Sequence, residues 1–170
     1  MNQIWTILVV IGGLAFVAFT YVIAFGAPFL PTLRERTSEA LDLLDLKPGQ
    51  TVLELGSGDG RILREAAERG LYAIGYELNP LLVIWSVLSN WKYRHFITVR
   101  WGNYWRKPLP VTDGIYVFLL KKYMNKLDTK IAQDGQNWDT KRRLKVVSFA
   151  FEIPGKTPIK ELNGLFLYSY

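Results

Sequence analysis

The chain contains no cysteine and a single histidine, His95. The first absence excludes disulfides, thiolate metal sites and cysteine nucleophiles, and the second leaves no imidazole pair for a metal. Chemistry without a metal is therefore the expectation. A third absence is regional: residues 1–33 carry no charged side chain, and the first charges are Arg34, Glu35 and Arg36. All 21 basic and 15 acidic residues fall in the remainder, giving a net charge of +6. Such an excess suits an acidic partner, nucleic acid or an anionic membrane surface. No long Lys/Arg run is present beside the hydrophobic N-terminus, so the membrane is favoured and nucleic acid is not expected as a partner. No internal repeat or low-complexity segment occurs. The 170 residues, 49% of them hydrophobic, suffice for one domain with a packed core.

Residues 4–27 are almost continuously apolar, interrupted only by Thr6, Thr20 and glycines. As a helix they extend roughly 36 Å, enough to cross a hydrocarbon core about 30 Å thick with some tilt. Trp5 and Tyr21 stand near the two ends, where interfacial aromatics are enriched. A secretory signal would want a basic start, which Met1-Asn2-Gln3 lacks, and a buried core helix would not precede every other domain signal. The expected organisation is a transmembrane anchor over 1–27 and a folded domain over 28–170. Arg34 and Arg36 follow the apolar segment with nothing basic before it, which places the domain on the cytoplasmic side.

Beyond Pro28 and Pro31, an amphipathic stretch begins near Thr37, and Lys47-Pro48-Gly49 marks a turn. Strands are expected over 51–55, 71–76, 96–101, 114–120, 145–152 and 165–170. Helices are expected over 61–69, 80–91 and from about Tyr123, with a surface loop over 133–143. Strands alternating with helices imply an α/β, Rossmann-like sheet of about six mostly parallel strands with helices on both faces. The 80–91 helix carries Leu81, Leu82, Val83, Ile84, Trp85, Val87, Leu88 and Trp91, more apolar surface than one core stripe needs. Burial against the sheet is the simpler expectation for it. A face against lipid or a hydrophobic partner, flanked by Lys92, Arg94 and Arg100, is the alternative.

The densest signal is Glu54-Leu55-Gly56-Ser57-Gly58-Asp59-Gly60-Arg61, an apolar strand entering a glycine-rich turn that opens directly into a helix. Glycines at 56, 58 and 60 let the backbone turn tightly and approach a ligand. A dinucleotide fingerprint needs its third glycine one residue later and a helix N-terminus free for pyrophosphate. Here Glu54 adds a carboxylate before the turn and Asp59 another within it, which suits the cationic amino group and sulfonium of S-adenosylmethionine. Glu-x-Gly-x-Gly-x-Gly is the first motif of class I methyltransferases. Glu77, 21 residues after Gly56 at a strand end, is placed to accept both ribose hydroxyls. Asn79-Pro80 provides an N-cap and first helical residue. Asn103, in Trp101-Gly102-Asn103-Tyr104-Trp105, can accept from the adenine amino group through its amide oxygen. The expected cofactor-binding set is Glu54, Gly56, Ser57, Gly58, Asp59, Gly60, Glu77 and Asn103, with S-adenosylhomocysteine as product and no metal.

Three longer runs carry a resemblance: Pro28-Phe29-Leu30-Pro31; Leu55-Gly56-Ser57-Gly58-Asp59-Gly60-Arg61-Ile62; and Gly75-Tyr76-Glu77-Leu78-Asn79-Pro80-Leu81-Leu82-Val83. Together with Asn103-Tyr104-Trp105-Arg106-Lys107 and Phe149-Ala150-Phe151-Glu152-Ile153-Pro154, they resemble the membrane-associated protein lysine methyltransferases. That family includes the mitochondrial enzymes acting on the adenine nucleotide translocase and on the c-subunit of ATP synthase, and prokaryotic relatives. The resemblance covers about residues 28–158 and implies a lysine acceptor in a membrane protein, with 28–32 closing over the methionine end of the cofactor. The sequence departs from the family at Asn103, where Asp is usual, and at Lys121-Lys122, where uncharged residues are usual. Only about 18 residues follow Glu152, which is why six strands rather than a full seven are expected. No general base stands out; Tyr104, Tyr116 and Tyr123 are candidates by position. Methylation of a lipid or quinone suits the anchor equally, and a non-catalytic, membrane-anchored cofactor-binding protein is the third class.

Overall fold

The computed structural model describes residues 3–25, 34–136, 138 and 143–170, with side chains before residue 35 only at 3–13 and 16. Helix α1 spans Gln3–Phe25, 23 residues, and its described apolar side chains, among them Ile4, Trp5, Val9 and Phe16, are exposed. Among the described residues no helix is long and apolar enough to cross a membrane, the described side chains of α1 ending at Phe16. The expected closure of 28–32 over the cofactor lies outside the described residues.

The domain begins with α2 (Arg34–Leu44). Thr37, Ala40, Leu41 and Leu44 follow a helical period and are all buried. Then come β1 (Thr51–Leu55), α3 (Arg61–Glu68), β2 (Tyr72–Glu77), α4 (Pro80–Ser89), β3 (Ile97–Trp101), β4 (Gly114–Val117), α5 (Met124–Gly135), β5 (Lys145–Phe149), β6 (Lys160–Leu162) and β7 (Leu165–Ser169). The sheet has seven strands in the order β3-β2-β1-β4-β5-β7-β6. β1 to β5 run parallel to one another, and β7 pairs antiparallel with both β5 and β6.

The expectation of about six strands is thus corrected to seven. The tail accommodates a further strand because Asn163 and Gly164 take φ of 51° and 81°, a two-residue hairpin turn. That turn lets three-residue β6 fold back on β7, with Leu162 opposite Leu165. Other expected elements also shorten or shift, among them the strand expected over 114–120, which ends at Val117, and the helix expected over 80–91, which ends at Ser89. The strand expected over 145–152 ends at Phe149, with Ala150 at φ 69°. The loop expected from 133 begins later, because α5 runs to Gly135.

The two faces of the sheet carry separate cores. One gathers Ala40, Leu41 and Leu44 of α2 and Ile62, Leu63 and Ala66 of α3 over Val52, Ala73 and Val147. The other gathers Met124, Leu127 and Ile131 of α5 over Leu53, Leu55, Ile115 and Val146. Strand registers align Leu55 with Tyr76 and with Val117, and Glu77 with Trp101. The carboxyl ends of β1, β2, β3 and β4 therefore meet along one edge. The strand order reverses at β1 and β4, and such a switch point opens the crevice in which open α/β sheets bind ligands.

α4 departs from the simpler expectation of burial. Its one buried residue is Ser86, and Asn90 just beyond it is also buried. Leu81, Ile84, Trp85, Val87 and Leu88 face outward.

Candidate active site

The site is built on the turn between β1 and α3. Gly56, Gly58 and Gly60 take φ of 92°, 52° and 75°, a region open to glycine at little cost. The N–H groups of Gly56 and Ser57 both donate to Tyr76 O at 2.9 Å, and Gly60 N–H donates to Ser57 O at 2.8 Å. These bonds fasten the turn to the end of β2. Two glycines are fixed by close approach. A Cβ at Gly60 would fall on Ser86 Oγ of α4, and one at Gly75 would lie 2.6 Å from both Ser57 Oγ and Leu63 Cδ1. Gly75 stood in one of the family-like runs but not among the expected site residues. Its spacing could not reveal that the turn packs on β2 there.

Three carboxylates converge on this turn. Glu77 is buried; its Oε2 accepts from Gly58 N–H at 2.8 Å and its Oε1 from Asn79 N–H at 2.7 Å. A carboxylate has about four acceptor positions, so ribose hydroxyls can be added to these two bonds. Asn79 in turn caps α4 by accepting from Leu81 N–H at 3.0 Å, as its pairing with Pro80 leads one to expect. Asp59 is partnered inside the turn: Arg61 Nε and Nη2 reach its two oxygens at 3.0 and 2.7 Å. Burial works to raise the Asp59 pKa, but this forked guanidinium outweighs it and holds the carboxyl below its usual range. Its charge is thereby directed to Arg61.

Glu54 is the exception. It is 6% exposed, and its Oε2 has no hydrogen-bond partner. Burial, reinforced by the neighbouring charges of Asp59 and Glu77 and only partly offset by Arg61, pushes its pKa well above the ordinary glutamate value. Ser57 Oγ, also buried, is likewise without a partner. A Cβ placed at Gly56 would meet nothing within 4 Å, so the turn opens there onto free space. An unpaired buried carboxyl, an unpaired hydroxyl and an open glycine cradle fit a ligand with a cationic end and a polar body. S-adenosylmethionine meets that description.

The end of β3 completes the rim. Gly102 N–H donates to Glu77 O at 2.9 Å, which holds the two strand ends together. Asn103 Oδ1 accepts from Trp105 N–H at 3.0 Å and caps the short helical turn Tyr104–Arg106. An amide oxygen carries a second lone pair that can accept a further donor. Tyr104, Trp105 and Tyr123 form an aromatic wall, with ring centres 4.7 Å apart in the first pair and 6.0 Å in the second. Burial, with Tyr123 and Glu77 nearby, pushes the Tyr104 phenol far above its ordinary pKa. The third tyrosine expected by position, Tyr116, is 1% exposed and belongs to the core under α2 and α3. The structure thus brings Tyr104 and Tyr123 to the rim and Tyr116 into the interior.

The sheet order, the glycine turn at its switch point and the acidic ends of β1 and β2 define a Rossmann-like methyltransferase fold. The chain superimposes on an RNA methyltransferase from Salinibacter ruber in complex with S-adenosylhomocysteine. The TM-score is 0.74 at 23% identity, covering 82% of this chain and 93% of that one. It also superimposes on a SAM-dependent methyltransferase from Geobacter sulfurreducens, crystallised with the same ligand, with a TM-score of 0.59 at 17% identity over 82% and 58% of the two chains.

Residues 54–160 match the ANTKMT methyltransferase domain, and the chain belongs to that family. It is 32% identical over 135 residues to the adenine nucleotide translocase lysine N-methyltransferase of Mus musculus, covering 78% of this chain and 56% of that protein. It is 29% identical over 133 residues to the ATP synthase c-subunit lysine N-methyltransferase of Xenopus laevis, covering 77% and 56%. The human protein of that name is 28% identical over 133 residues, covering 77% and 54%. The chain spans about half the length of these curated relatives.

Proposed function

We propose that this protein is an S-adenosylmethionine-dependent methyltransferase that modifies lysine side chains of a membrane protein. The observation that carries the reading is the buried Glu54 carboxyl, unpaired through Oε2, on β1 beside the glycine turn, with Glu77 at the end of the adjoining β2. Family membership supplies the lysine acceptor, since the relatives named above act on lysine. S-adenosylmethionine, when bound, supplies a methyl group on a sulfonium that leaves as a neutral thioether.

The residues of the chain provide position and desolvation. Glu77 accepts from the ribose, Asn103 from the adenine, and Glu54 meets the cationic methionine end. The acceptor amine must arrive neutral. The aromatic wall of Tyr104, Trp105 and Tyr123 lowers the pKa of an ammonium by removing water from it. Lys122 and Lys126, whose ammonium groups lie 4.9 and 4.5 Å from the Tyr123 and Trp105 ring centres, add like charge that acts in the same direction. Tyr104, held protonated, serves as a hydrogen-bond donor rather than as a base.

In this reading α1 anchors the chain over residues 1–27 and holds the domain over 28–170 on the cytoplasmic side of a bilayer. The apolar sequence of 4–27 and the arginines at 34 and 36 support it. The test is incubation of the full chain with membranes and methyl-labelled S-adenosylmethionine. Label that stays with protein and is released as methyllysine on hydrolysis is the expected result. Label in the organic extract would transfer the assignment to a lipid or quinone, and absence of transfer to either would refute catalysis.

A further inference from the structure

α4 is amphipathic in the inverted sense. Its inward side is polar: Ser86 meets Gly60 of the turn, and Asn90 Nδ2 donates to Ser86 O at 2.8 Å. Arg64 Nε donates to Asn90 Oδ1 at 2.7 Å. Its outward side carries Leu81, Ile84, Trp85 and Leu88, continued by Trp91, each between 56% and 66% exposed. Their spacing of three and four residues puts them on one stripe. Trp101, 64% exposed, extends the surface to the lip of the site, its Nε1–H donating to Leu78 O at 3.1 Å. A contiguous apolar surface rimmed by polar groups marks an interaction site.

The segment that forms this surface carries charge of one sign, and Glu68 of α3 meets it at Tyr93, whose hydroxyl donates to Glu68 Oε1 at 2.8 Å. Between Glu77 and Asp113 the sequence has no acidic residue, yet it contains Lys92, Arg94, Arg100, Arg106 and Lys107, all exposed. Arg94 packs over the Trp91 ring at 5.4 Å, so cation and aromatic stand side by side at the end of the stripe. Exposed leucine, isoleucine and tryptophan beside lysine and arginine are the composition of an interfacial membrane-binding helix. A second copy of this chain would bring like charges together across a two-fold contact. Nucleic acid would satisfy the cations but leave the leucine and isoleucine stripe without a partner.

We propose that the outer face of α4, with Trp91, Lys92, Arg94 and Trp101, lies in the interface of an anionic bilayer. This is a contact of the folded domain itself, separate from insertion of α1. It deepens the membrane reading given above by fixing which face of the domain meets the lipid. Glu77, which holds Gly58 of the glycine turn, stands just before the N-terminal end of the same helix, and Gly60 of the turn packs on its inward side at Ser86. Docking by this face therefore holds the cofactor site beside the membrane surface, where a lysine near a bilayer would be met.

The chain has no cysteine, so a single introduced one reports from a single place. Full-length Ile84→Cys and Leu88→Cys, carrying an environment-sensitive fluorophore, are reconstituted into vesicles of zwitterionic lipid with and without anionic lipid, containing a bilayer-borne quencher. Val10→Cys reports insertion of α1, and Glu161→Cys on exposed β6 reports the far edge of the sheet. The expected result is quenching at 84 and 88 that increases with anionic lipid, with position 161 unquenched. Replacing Lys92 and Arg94 together by Gln should lower the docked-to-undocked ratio by about fivefold per charge removed. Quenching at position 10 without quenching at 84 and 88 would overturn the docking proposal and leave the α1 anchor standing. Its reverse would overturn the anchor alone. Shielding at 84 and 88 that needs no lipid and rises with protein concentration would assign the face to a second copy. Shielding by added RNA but not by vesicles would assign it to nucleic acid, and either result contradicts the proposal.

Discussion

Replacement of Glu54 by Gln isolates one ionisation in the centre of the site. In the free protein the Glu54 carboxyl is buried, unpaired through Oε2, and pushed well above the ordinary glutamate pKa by burial and by Asp59 and Glu77. The unfolded chain titrates near about 4.3. Because the folded pKa is the higher one, the contribution of this group is fully present below the unfolded pKa. It is lost as pH rises toward and through the folded pKa. Over that window stability falls by about 1.4 kcal/mol per pH unit. Glu54→Gln removes that slope while keeping the side-chain volume. Denaturation of the cofactor-free, detergent-solubilised protein from pH 5 to 8 should therefore show the wild type weakening with pH relative to the variant. Binding of a cationic cofactor reverses the balance, since it favours the ionised carboxylate and drives proton release. Loss of one charge-assisted contact of about 1.5–3 kcal/mol predicts an S-adenosylmethionine affinity about 10- to 150-fold weaker in Glu54→Gln. Parallel pH profiles for the two proteins, or equal affinities, would refute the role assigned to Glu54.

Three further outcomes follow from the site geometry. Glu77→Ala strips the acceptors from Gly58 and Asn79 N–H as well as from the ribose, and calorimetric titration should show binding weakened by about 100-fold or more. An unchanged dissociation constant would contradict the ribose assignment. Gly75→Ala places a Cβ 2.6 Å from Leu63 Cδ1 and Ser57 Oγ, an overpacking worth about 1–3 kcal/mol. Thermal unfolding should fall by about 3–10 °C; no fall would mean that the turn gives way there. Tyr104→Phe should leave the pH dependence of turnover unchanged below about pH 10, because the raised phenol pKa keeps Tyr104 protonated there. Loss of an ionisation from the pH–rate profile would make Tyr104 a base after all.

Legibility in the sequence followed the range of the interactions. β1 and the start of α3 coincide with the expected strand and helix. There the signals are local: an apolar strand, positive-φ glycines, and a stripe of Ile62, Leu63, Ala66 and Ala67 against the sheet. The capping of α4 by Asn79 is equally local. What the sequence left hidden depends on partners far along the chain. The apolar run of α4 was visible, but not its facing, because Ser86 and Asn90 take the inward contacts with Gly60 and Arg64. β6 escaped notice because its three residues are all exposed and carry no alternation; its hairpin turn was the available signal. Asp59 and Arg61 are a different case. Their pairing across two residues was within reach of the sequence, yet a carboxylate in a cofactor motif draws attention to the ligand and away from its neighbour.

Isothermal titration of the full-length, detergent-solubilised protein with S-adenosylmethionine, S-adenosylhomocysteine and NAD tests the central claim most directly. The account predicts saturable binding of the two adenosyl ligands, none of NAD, and proton release on binding S-adenosylmethionine that disappears in Glu54→Gln. Failure of the folded protein to bind either adenosyl ligand, or saturable binding of NAD, would contradict it.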